Sequence, residues 1–340
     1  MNILFIFPVA TGLSFVLTAI FRHYALQHSL VDIPNKRSSH TVPTPRGGGL
    51  AFVLSFLLLT TVVRFFIEVP LPFTLALFGA GSWVALVGFF DDHAHVAARW
   101  RLLAHFVGVL WALIWLDGLP PVLIFGRLVD FGSFGNVVIL VYLVWLLNLF
   151  NFMDGIDGIA SIETITVCLA AGILELMTTS NSYTWIVSFL LASAVFGFLF
   201  WNFPQAHIFM GDAGSGFLGI LVGILLIHAA WTAPPLLWSW LILLGVFNVD
   251  ATLTLLRRIS GGEKFYMAHR DHAYQHAARK FGNHRGVSLA VGAVNIFWLF
   301  PVALLVALNM LEGIFGLVLA YVPLTWLAIK FKAGKSEQIS

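Results

Sequence analysis

Long apolar segments follow one another along most of the 340 residues of this chain. Eleven of them approach the roughly 20 residues that a helix needs to cross the hydrocarbon core of a bilayer. They cover residues 3–20, 49–66, 71–90, 102–116, 137–152, 159–177, 185–203, 214–230, 236–256, 288–308 and 313–329. Because lipid offers no partners for backbone N–H and C=O groups, each segment is predicted to be an α-helix. We therefore predict an all-α, polytopic integral membrane protein, with residues 1–340 forming a single transmembrane domain.

The composition excludes a soluble globular domain. Charged residues make up 10% of the chain, whereas soluble domains contain about 25%. The formal net charge of +2 is too small to indicate nucleic-acid binding. The single cysteine, Cys168, lies in an apolar segment, so we expect neither a disulfide nor a cysteine-built metal site. The first apolar segment lacks a preceding basic region and a small-residue cleavage site, which favours a retained helix over a signal peptide.

The distribution of Lys and Arg predicts the orientation in the membrane. Eleven spans place the two termini on opposite sides, and of the 18 Lys and Arg residues only Arg64 and Arg127 then fall on the poorer side. Cytoplasmic connections of membrane proteins carry the excess of positive charge. We therefore predict an external N-terminus and cytoplasmic segments at 21–48, 91–101, 153–158, 204–213 and 257–287, with a cytoplasmic tail at 330–340.

Acidic and amide side chains gather at the predicted cytoplasmic ends of the spans, where carboxylates usually require a cation or a function. Asp91 and Asp92 directly follow the third span. Two adjacent negative charges are compensated in proteins by Mg²⁺ or by a basic group. A solvated helix end is the alternative explanation for such a pair.

The most specific motif, NLFNFMDGIDG, begins at Asn148. Asn148 and Asn151 lie one helical turn apart, and Asp154 continues their face if the helix persists. Together with Asp157, these amides and carboxylates are able to ligate Mg²⁺ or to bind a nucleotide base and ribose. A capped loop between two helices is the alternative, but it leaves most of the four polar residues unexplained.

A third motif, GDAGSG, places Asp212 among small residues at the start of the eighth span. Exposed N–H groups and the dipole at a helix N-terminus favour anionic oxygens, so a diphosphate with its Mg²⁺ is able to bind there. The alternative is that Asp212 merely caps the helix.

The segment at 257–287 contains the sequence HRDHAYQH, which ends at His276. Arg270, His272 and His276 suit a nucleotide-sugar diphosphate, because Arg grips two phosphate oxygens and His donates from a ring nitrogen. A zinc site at His272 and His276 is the competing hypothesis, but no Glu follows the first His and no Cys is near. Asp250 lies inside the ninth predicted span, too deep for an ordinary surface charge.

The first predicted cytoplasmic segment contains KRSSHTVPTPRGGG, with His40 and Arg46. Its Pro and Gly residues predict an ordered turn. Its cations suit a lipid phosphate, although composition alone attributes them to the positive-inside bias.

These ordered motifs resemble those of the polyprenyl-phosphate N-acetylhexosamine-1-phosphate transferases, which include the peptidoglycan phospho-muramoyl-pentapeptide transferase. The resemblance runs from His40 to His276. The Arg46 turn and the HAYQH sequence look most like the branch of the family that starts O-antigen synthesis. The chain departs from the family in two places: it has His93 and His95 where relatives often have a third acidic residue, and its loop histidines are separated.

The resemblance implies transfer of N-acetylhexosamine 1-phosphate from a UDP-sugar to undecaprenyl phosphate, with release of UMP, in the bacterial inner membrane. GlcNAc, FucNAc and QuiNAc all remain open as the sugar. By resemblance Asp212 and Asn151 bind Mg²⁺, with Mn²⁺ as the alternative, and Asp91 and Asp92 orient or deprotonate the lipid phosphate. Ten residues are assigned to substrate binding: Asn148, Asp154, Asp157, Asp250, Arg270, His272, His276, Arg101, His40 and Arg46. The family also suggests a homodimer.

Two functions from other classes compete with this hypothesis. A lipid-linked sugar transporter or flippase predicts polar residues near the bilayer midplane and discontinuous helices in matched halves. An outward-facing lipid-sugar glycosyltransferase predicts that the acidic pair lies outside. The predicted topology instead places Asp91 and Asp92 inside, close to Arg99 and Arg101.

Overall fold

The computed structural model describes residues 3–34, 42–94, 96–179, 183–263 and 269–335. Within these ranges the chain is a bundle of helices, preceded by a short 3₁₀ turn at Ile3–Phe5. In chain order the helices are α1 (Ile6–Gln27), α2 (Gly49–Arg64), α3 (Leu71–Ala94), α4 (Ala98–Trp115), α5 (Gly132–Met153), α6 (Ile159–Thr178), α7 (Thr184–Asn202), α8 (Asp212–Thr232), α9 (Pro235–Leu243), α10 (Gly245–Ser260), α11 (Ala273–Phe281), α12 (His284–Ala307) and α13 (Gly313–Lys330). Helix α12 contains a π-helical segment at Asn295–Leu299.

Eight helices in the described ranges are long and apolar enough to cross a membrane, namely α1, α3, α5, α6, α7, α8, α12 and α13. The pair α9 and α10 adds a ninth if it is one bent span. The remaining two predicted spans correspond to α2, with 16 residues, and α4, with 18. The prediction of an all-α, polytopic membrane protein is confirmed, while the number eleven and the side of each connection stay predictions.

The structure differs from the predicted elements in two places. The apolar segment at 236–256 is broken at Leu244, where α9 and α10 meet at 67°. Gly245 allows Tyr321 and Leu324 to pack against the bend, since a Cβ there would lie 3.0 Å from Leu324 Cδ1. The segment at 257–287 contains the helix α11, which a search for apolar runs misses because its sequence is largely polar.

Two short antiparallel strand pairs occur in the connections. β1 (Val31–Asp32) pairs with β2 (Thr44–Pro45), and β3 (Val122–Ile124) pairs with β4 (Arg127–Val129). The second pair is a hairpin that turns through Phe125 and Gly126, both with positive φ. These strands lie in connections and leave the helical architecture unchanged.

Helix α8 lies at the centre of the bundle, and all its residues except Asp212, His228, Trp231 and Thr232 are buried. Small residues allow its neighbours to approach closely, as in many membrane helix pairs. A Cβ on Gly88 of α3 would lie 2.4 Å from Ala213 N, and a Cβ on Gly219 would lie 2.8 Å from Leu147 Cα of α5. The start of α8 is therefore held directly against α3.

Helices α3, α5 and α10 end, and α8 and α11 begin, at one end of the bundle, which we call the polar end. Most of the predicted site residues lie there: Arg46, Asp91, Asp92, Arg101, Asn148, Asn151, Asp154, Asp157, Asp212, Arg270, His272 and His276. The direction of α3, α5 and α8 thus brings together motifs that are far apart in the sequence.

Candidate active site

The acidic pair at the end of α3 is buried, and its two carboxylates have different partners. Asp92 accepts hydrogen bonds from the backbone N–H groups of Asp212, at 3.2 Å, and Ala213, at 3.4 Å. It therefore caps the N-terminus of α8 from a neighbouring helix. Gly211 has φ of +78°, and a Cβ there would lie 2.6 Å from Asp92 Oδ2, so glycine is required beside this cap.

Arg46, in the connection between α1 and α2, also contacts the end of α3. Its guanidinium Nη2 donates a hydrogen bond to the backbone carbonyl of Asp92. The backbone of this segment pairs with the residues before α8, since Gly48 N donates to Phe209 O at 3.0 Å and Gly49 N donates to Met210 O at 2.9 Å. Arg46 thereby supports the position of Asp92.

Asp91 faces the other way, toward Arg101 and Asp212. Arg101 Nη1 donates to Asp91 Oδ2 and, at 3.1 Å, to Asp212 Oδ2. The Asp91 and Asp212 carboxyl groups also lie within hydrogen-bonding distance of each other. Asn151 Nδ2 donates to Asp212 Oδ1 at 2.7 Å and to Ser215 Oγ at 3.3 Å. The Arg101 guanidinium therefore lies between the carboxylates of Asp91 in α3 and Asp212 in α8.

These side chains form the polar end of a cavity of about 700 Å³ between α3, α4, α5 and α8. The polar part of the lining comprises Asp91, Arg99, Arg101, His105, Asn148, Asn151 and Asp212. The remaining walls are apolar, with residues such as Phe106, Val141, Val144, Trp145 and Leu255. A molecule with a charged head and a long apolar chain matches this division.

The turn between α5 and α6 adds two further carboxylates. Helix α5 ends at Met153, so Asp154 is its C-cap and does not continue the helix face. Burial, reinforced by the nearby Asp212, Asp92 and Asp157 carboxylates, raises the pKa of Asp154 well above its usual value. The carboxylates around Asp154 therefore disfavour one another's ionisation, an effect that a bound cation would relieve.

Asp157 and Asn148 make local contacts. Asp157 Oδ2 accepts from Ala206 N at 3.2 Å, and Asp157 Oδ1 lies 3.4 Å from His284 Nδ1. Asn148 Nδ2 donates to the carbonyl of Val144 at 2.7 Å while its side chain lines the cavity. Asp157 therefore ties the turn to the connection between α7 and α8 and to the start of α12, and Asn148 remains at the cavity wall.

A second group of polar residues surrounds the N-terminus of α11. Asp250 accepts hydrogen bonds from Ala273 N, at 2.9 Å, and Tyr274 N, at 3.0 Å, and its Oδ1 lies 3.4 Å from His272 Nδ1. His272 is itself the N-cap of α11 in a capping box with Gln275. Asp250 thus positions α11 and His272 from within α10.

Histidine and tyrosine rings pack in layers over this second group. The ring of His269 lies 4.9 Å from that of His272, and burial lowers the pKa of His269 to about 4, reinforced by His272 and Arg258. His276 Nδ1 lies 3.0 Å from Arg279 Nη2. Burial raises the pKa of the Tyr274 hydroxyl well above its usual value. The group contains neutral rings as well as ions.

Two residues connect the first and second groups. Tyr274 donates from its hydroxyl to the carbonyl of Phe152 at 2.9 Å, and the Phe152 ring lies 6.4 Å from His272. Phe152 also lines the large cavity. The position of α11 is thereby fixed relative to the end of α5, between Asn151 and Asp154.

The remaining predicted residues have separate environments. The backbone carbonyl of Arg270 accepts a hydrogen bond from Arg279 Nη1 at 3.1 Å. Arg270 itself belongs to the connection between α10 and α11. His40 lies outside the described residues. Nearby, Arg258 is buried and forms ion pairs with Asp271 and, at 2.6 Å, with Glu263.

Sequence reasoning did not assign roles to His105, Ser215 or Tyr274. His105 lies one helical turn after Arg101 and lines the cavity, and that spacing was the available signal. Ser215 follows Asp212 at a helical spacing and accepts from Asn151. The contact made by Tyr274 depends on how α11 packs against α5, which no local pattern reveals.

The oxygen donors at Asp91, Asp212 and Asn151 are of the type that Mg²⁺ prefers. In the described part of the chain, no three His, Cys, Asp or Glu side chains are arranged as a complete metal site. Magnesium commonly retains water and substrate phosphates as ligands beside one or two carboxylates. The donor set would therefore suit a magnesium ion that took its other ligands from water and phosphate.

Comparisons with known proteins identify the family of this chain. A family model described as Glycosyl transferase family 4 matches residues 74–230, which include Asp91, Asn151 and Asp212. The chain is 31% identical over 250 residues to the phospho-N-acetylmuramoyl-pentapeptide-transferase of Moorella thermoacetica, covering 68% of this chain and 76% of that protein.

Two further relatives are named for N-acetylglucosamine. The probable undecaprenyl-phosphate N-acetylglucosaminyl 1-phosphate transferase of Bacillus subtilis is 26% identical over 290 residues, covering 81% of this chain and 77% of the relative. The decaprenyl-phosphate N-acetylglucosaminephosphotransferase of Mycobacterium leprae is 28% identical over 309 residues, covering 77% and 73%. The similarity therefore extends over most of each chain.

Proposed function

Because this chain belongs to glycosyl transferase family 4, we propose that it transfers an N-acetylhexosamine 1-phosphate from a UDP-sugar to undecaprenyl phosphate. The products are undecaprenyl-diphosphate-sugar and UMP. The observation that carries the proposal is the cavity of about 700 Å³, whose apolar walls lead to Asp91, Arg101 and Asp212. Such a cavity suits a lipid whose phosphate reacts at the polar end.

In the proposed reaction an oxygen of the lipid phosphate attacks the β-phosphorus of the UDP-sugar. The bond from the β-phosphorus to the bridging oxygen breaks, and that oxygen leaves with UMP. Phosphoryl transfer of this kind depends chiefly on positioning and charge neutralisation. We assign Asp91 to the orientation of the lipid phosphate and Arg101 to the binding of phosphate oxygens, because both line the polar end of the cavity and pair with each other.

We assign Asp212 and Asn151 to a Mg²⁺ ion, for which Mn²⁺ is the alternative. When bound, the ion would neutralise charge on the diphosphate. Asp92 and Arg46 act indirectly, because the carboxylate of Asp92 holds the start of α8 and Arg46 holds the Asp92 backbone. Asp250 likewise positions His272, which we assign with Arg270 to the donor diphosphate.

The UDP-sugar implies that the polar end faces the cytoplasm, where nucleotide sugars are available. The excess of Lys and Arg at the predicted cytoplasmic segments supports this orientation. We also propose that the product starts a cell-surface polysaccharide of the O-antigen type, with the homodimer as the proposed assembly. The names of two relatives specify N-acetylglucosamine, whereas the similarity of the Arg46 turn to the O-antigen branch keeps FucNAc and QuiNAc as candidates.

The test is a reaction of the purified protein with undecaprenyl phosphate, Mg²⁺ and UDP-GlcNAc, UDP-FucNAc or UDP-QuiNAc, analysed by mass spectrometry. We expect one donor to give the mass of undecaprenyl-diphosphate-sugar together with an equal amount of UMP. Free sugar or UDP as the product would contradict a sugar-1-phosphate transfer. Chelation of the metal, followed by addition of Mg²⁺ or Mn²⁺ alone, tests the metal assignment separately.

A further inference from the structure

A second cavity, of about 450 Å³, lies between α10, α11, α12 and α13. We call it the α12 cavity. Its walls are almost entirely apolar, and it shares no lining residue with the larger cavity. Its volume lies in the range of about 300–1,000 Å³ that is usual for small-molecule sites. The reaction proposed above does not require this space.

The α12 cavity opens toward the surface of the bundle. Ala290 and Phe281 on its wall are exposed, with 62% of Phe281 accessible, and Val294 is partly exposed. Helices α12 and α13 are both long and apolar enough to span the membrane. An apolar space that opens between two spanning helices is accessible to the hydrocarbon chains of the bilayer.

The mouth of the α12 cavity is basic. Lys280 Nζ lies 5.9 Å from the ring centroids of both Phe281 and Phe331, two residues of the lining. In the sequence, Arg285 directly precedes the lining residue Gly286, and Lys332 directly follows Phe331. Basic pockets between membrane helices bind the head groups of anionic lipids.

In the described range 269–335, acidic residues do not offset this charge. Asp250, an acidic residue of the cavity lining, is buried and has the Ala273 and Tyr274 amides and His272 as its partners. Asp271 and Glu312 are the acidic residues of that range. Asp271 forms its ion pair with Arg258, and Glu312 caps the N-terminus of α13, at the opposite end of that helix from Phe331. Charge complementarity therefore favours an anionic occupant over a zwitterionic one.

We propose that the α12 cavity binds one acyl chain of an anionic membrane phospholipid, with the lipid phosphate beside Lys280. The inner wall includes Asp250 and Tyr274, the residues that hold the N-terminus of α11 and connect it to α5. A bound chain would stabilise α11 against α10 and thereby maintain His272 in place. This effect on the reaction rests on the proposed function, whereas lipid binding itself does not.

The binding test uses the purified full-length protein in nanodiscs with equal amounts of phosphatidylglycerol and phosphatidylcholine. After transfer to detergent, native mass spectrometry measures the lipid retained per chain. Ala290→Trp fills the cavity, and Leu289→Trp is the matched control, because Leu289 is the adjacent exposed residue and does not line the cavity. We expect wild type and Leu289→Trp to retain phosphatidylglycerol, and Ala290→Trp to lose it several-fold.

A second pair of variants tests the head group without filling the cavity. Lys280→Glu is expected to abolish the preference for phosphatidylglycerol over phosphatidylcholine. Lys330→Glu is the control, since Lys330 Nζ lies over the Trp326 ring, 4.8 Å from its centroid and outside the cavity. Equal retention of phosphatidylglycerol by wild type and Lys280→Glu would overturn the proposal, as would equal retention by Ala290→Trp and Leu289→Trp. These readouts need no turnover, so a failed transferase assay leaves the lipid result interpretable.

Discussion

The carboxylate of Asp92, at the end of α3, accepts a hydrogen bond from the backbone N–H of Asp212, the first residue of α8, at 3.2 Å. The two helices are separated by four others in the sequence, yet this contact sets the position of one acidic motif against the other. Asp92 therefore has a positioning role, and its neighbour Asp91 faces the cavity.

Two replacements of Asp92 should distinguish an effect on protein stability from an effect on the transfer reaction. Asp92→Ala removes the cap of α8 and should reduce the free energy of unfolding by about 1 kcal/mol. Asp92→Asn keeps one of the two acceptor oxygens, which serves the 3.2 Å bond from the Asp212 amide but not the bond from the Ala213 amide to the other oxygen, so it should restore part of the thermal stability and of the turnover. Melting temperature and UMP release measure the two effects. A complete loss of turnover in a stable Asp92→Asn protein would instead indicate that the Asp92 charge acts on the substrate.

The close packing of α3 against α8 predicts a severe effect of a single methyl group. A Cβ at Gly88 would lie 2.4 Å from Ala213 N. Because Ala213 N belongs to the backbone of α8, it cannot move away unless α8 shifts. Gly88→Ala should therefore lower both the melting temperature and the rate of UMP release. Gly12→Ala in α1 is the control, because nothing lies within 4 Å of a Cβ there. Equal melting temperatures of the two variants would show that the α3–α8 contact tolerates a shift.

Asp212 is the residue whose loss should affect the reaction most directly. Asp212→Asn preserves the shape at the start of α8 but removes one of the two charges next to Arg101. We expect UMP release to fall by about 100-fold or more, the scale of losing one main electrostatic group, and the Mg²⁺ concentration for half-maximal rate to rise. Asp117→Asn, at an exposed turn remote from the polar end, is the control. Near-normal turnover in Asp212→Asn would rule out the metal assignment.

Arg101 bridges Asp91 and Asp212, and this position predicts a kinetic effect on the lipid substrate. Arg101→Gln removes the cation that we assign to phosphate binding, so the KM for undecaprenyl phosphate should rise more than the KM for the UDP-sugar. Arg127→Gln, on the hairpin strand β4, is the charge-matched control. If only the KM for the UDP-sugar changed, Arg101 would instead be assigned to binding the diphosphate of the donor.

The sequence was sufficient to predict the class of fold and to identify the motifs that the structure brings together at the polar end, because both depend on local patterns. Apolar segments identify the spans, and Asp91, Asn151 and Asp212 each stand within a turn of a predicted helix end. The partners of these residues depend on which helices are neighbours. That Asp92 caps α8, or that Asp250 holds α11, follows from the packing of α3 on α8 and of α10 on α11. The bend at Leu244 also depends on tertiary packing, since Tyr321 and Leu324 occupy the space beside Gly245.

His269 should make the stability of the protein depend on pH in the acidic range. Burial, together with the positive charges nearby, lowers its pKa from 6.5 to about 4. Between these two values the unfolded chain binds a proton at His269 that the folded protein does not bind, so stability rises with pH. This contribution is lost as the pH falls from 6.5 toward 4.

His269→Gln should therefore show a smaller decrease of melting temperature over that interval than wild type, while the two proteins should respond alike above pH 7. His93→Gln, an exposed histidine of α3, is the control. An unchanged pH slope in His269→Gln would show that the fold does not lower the pKa of His269.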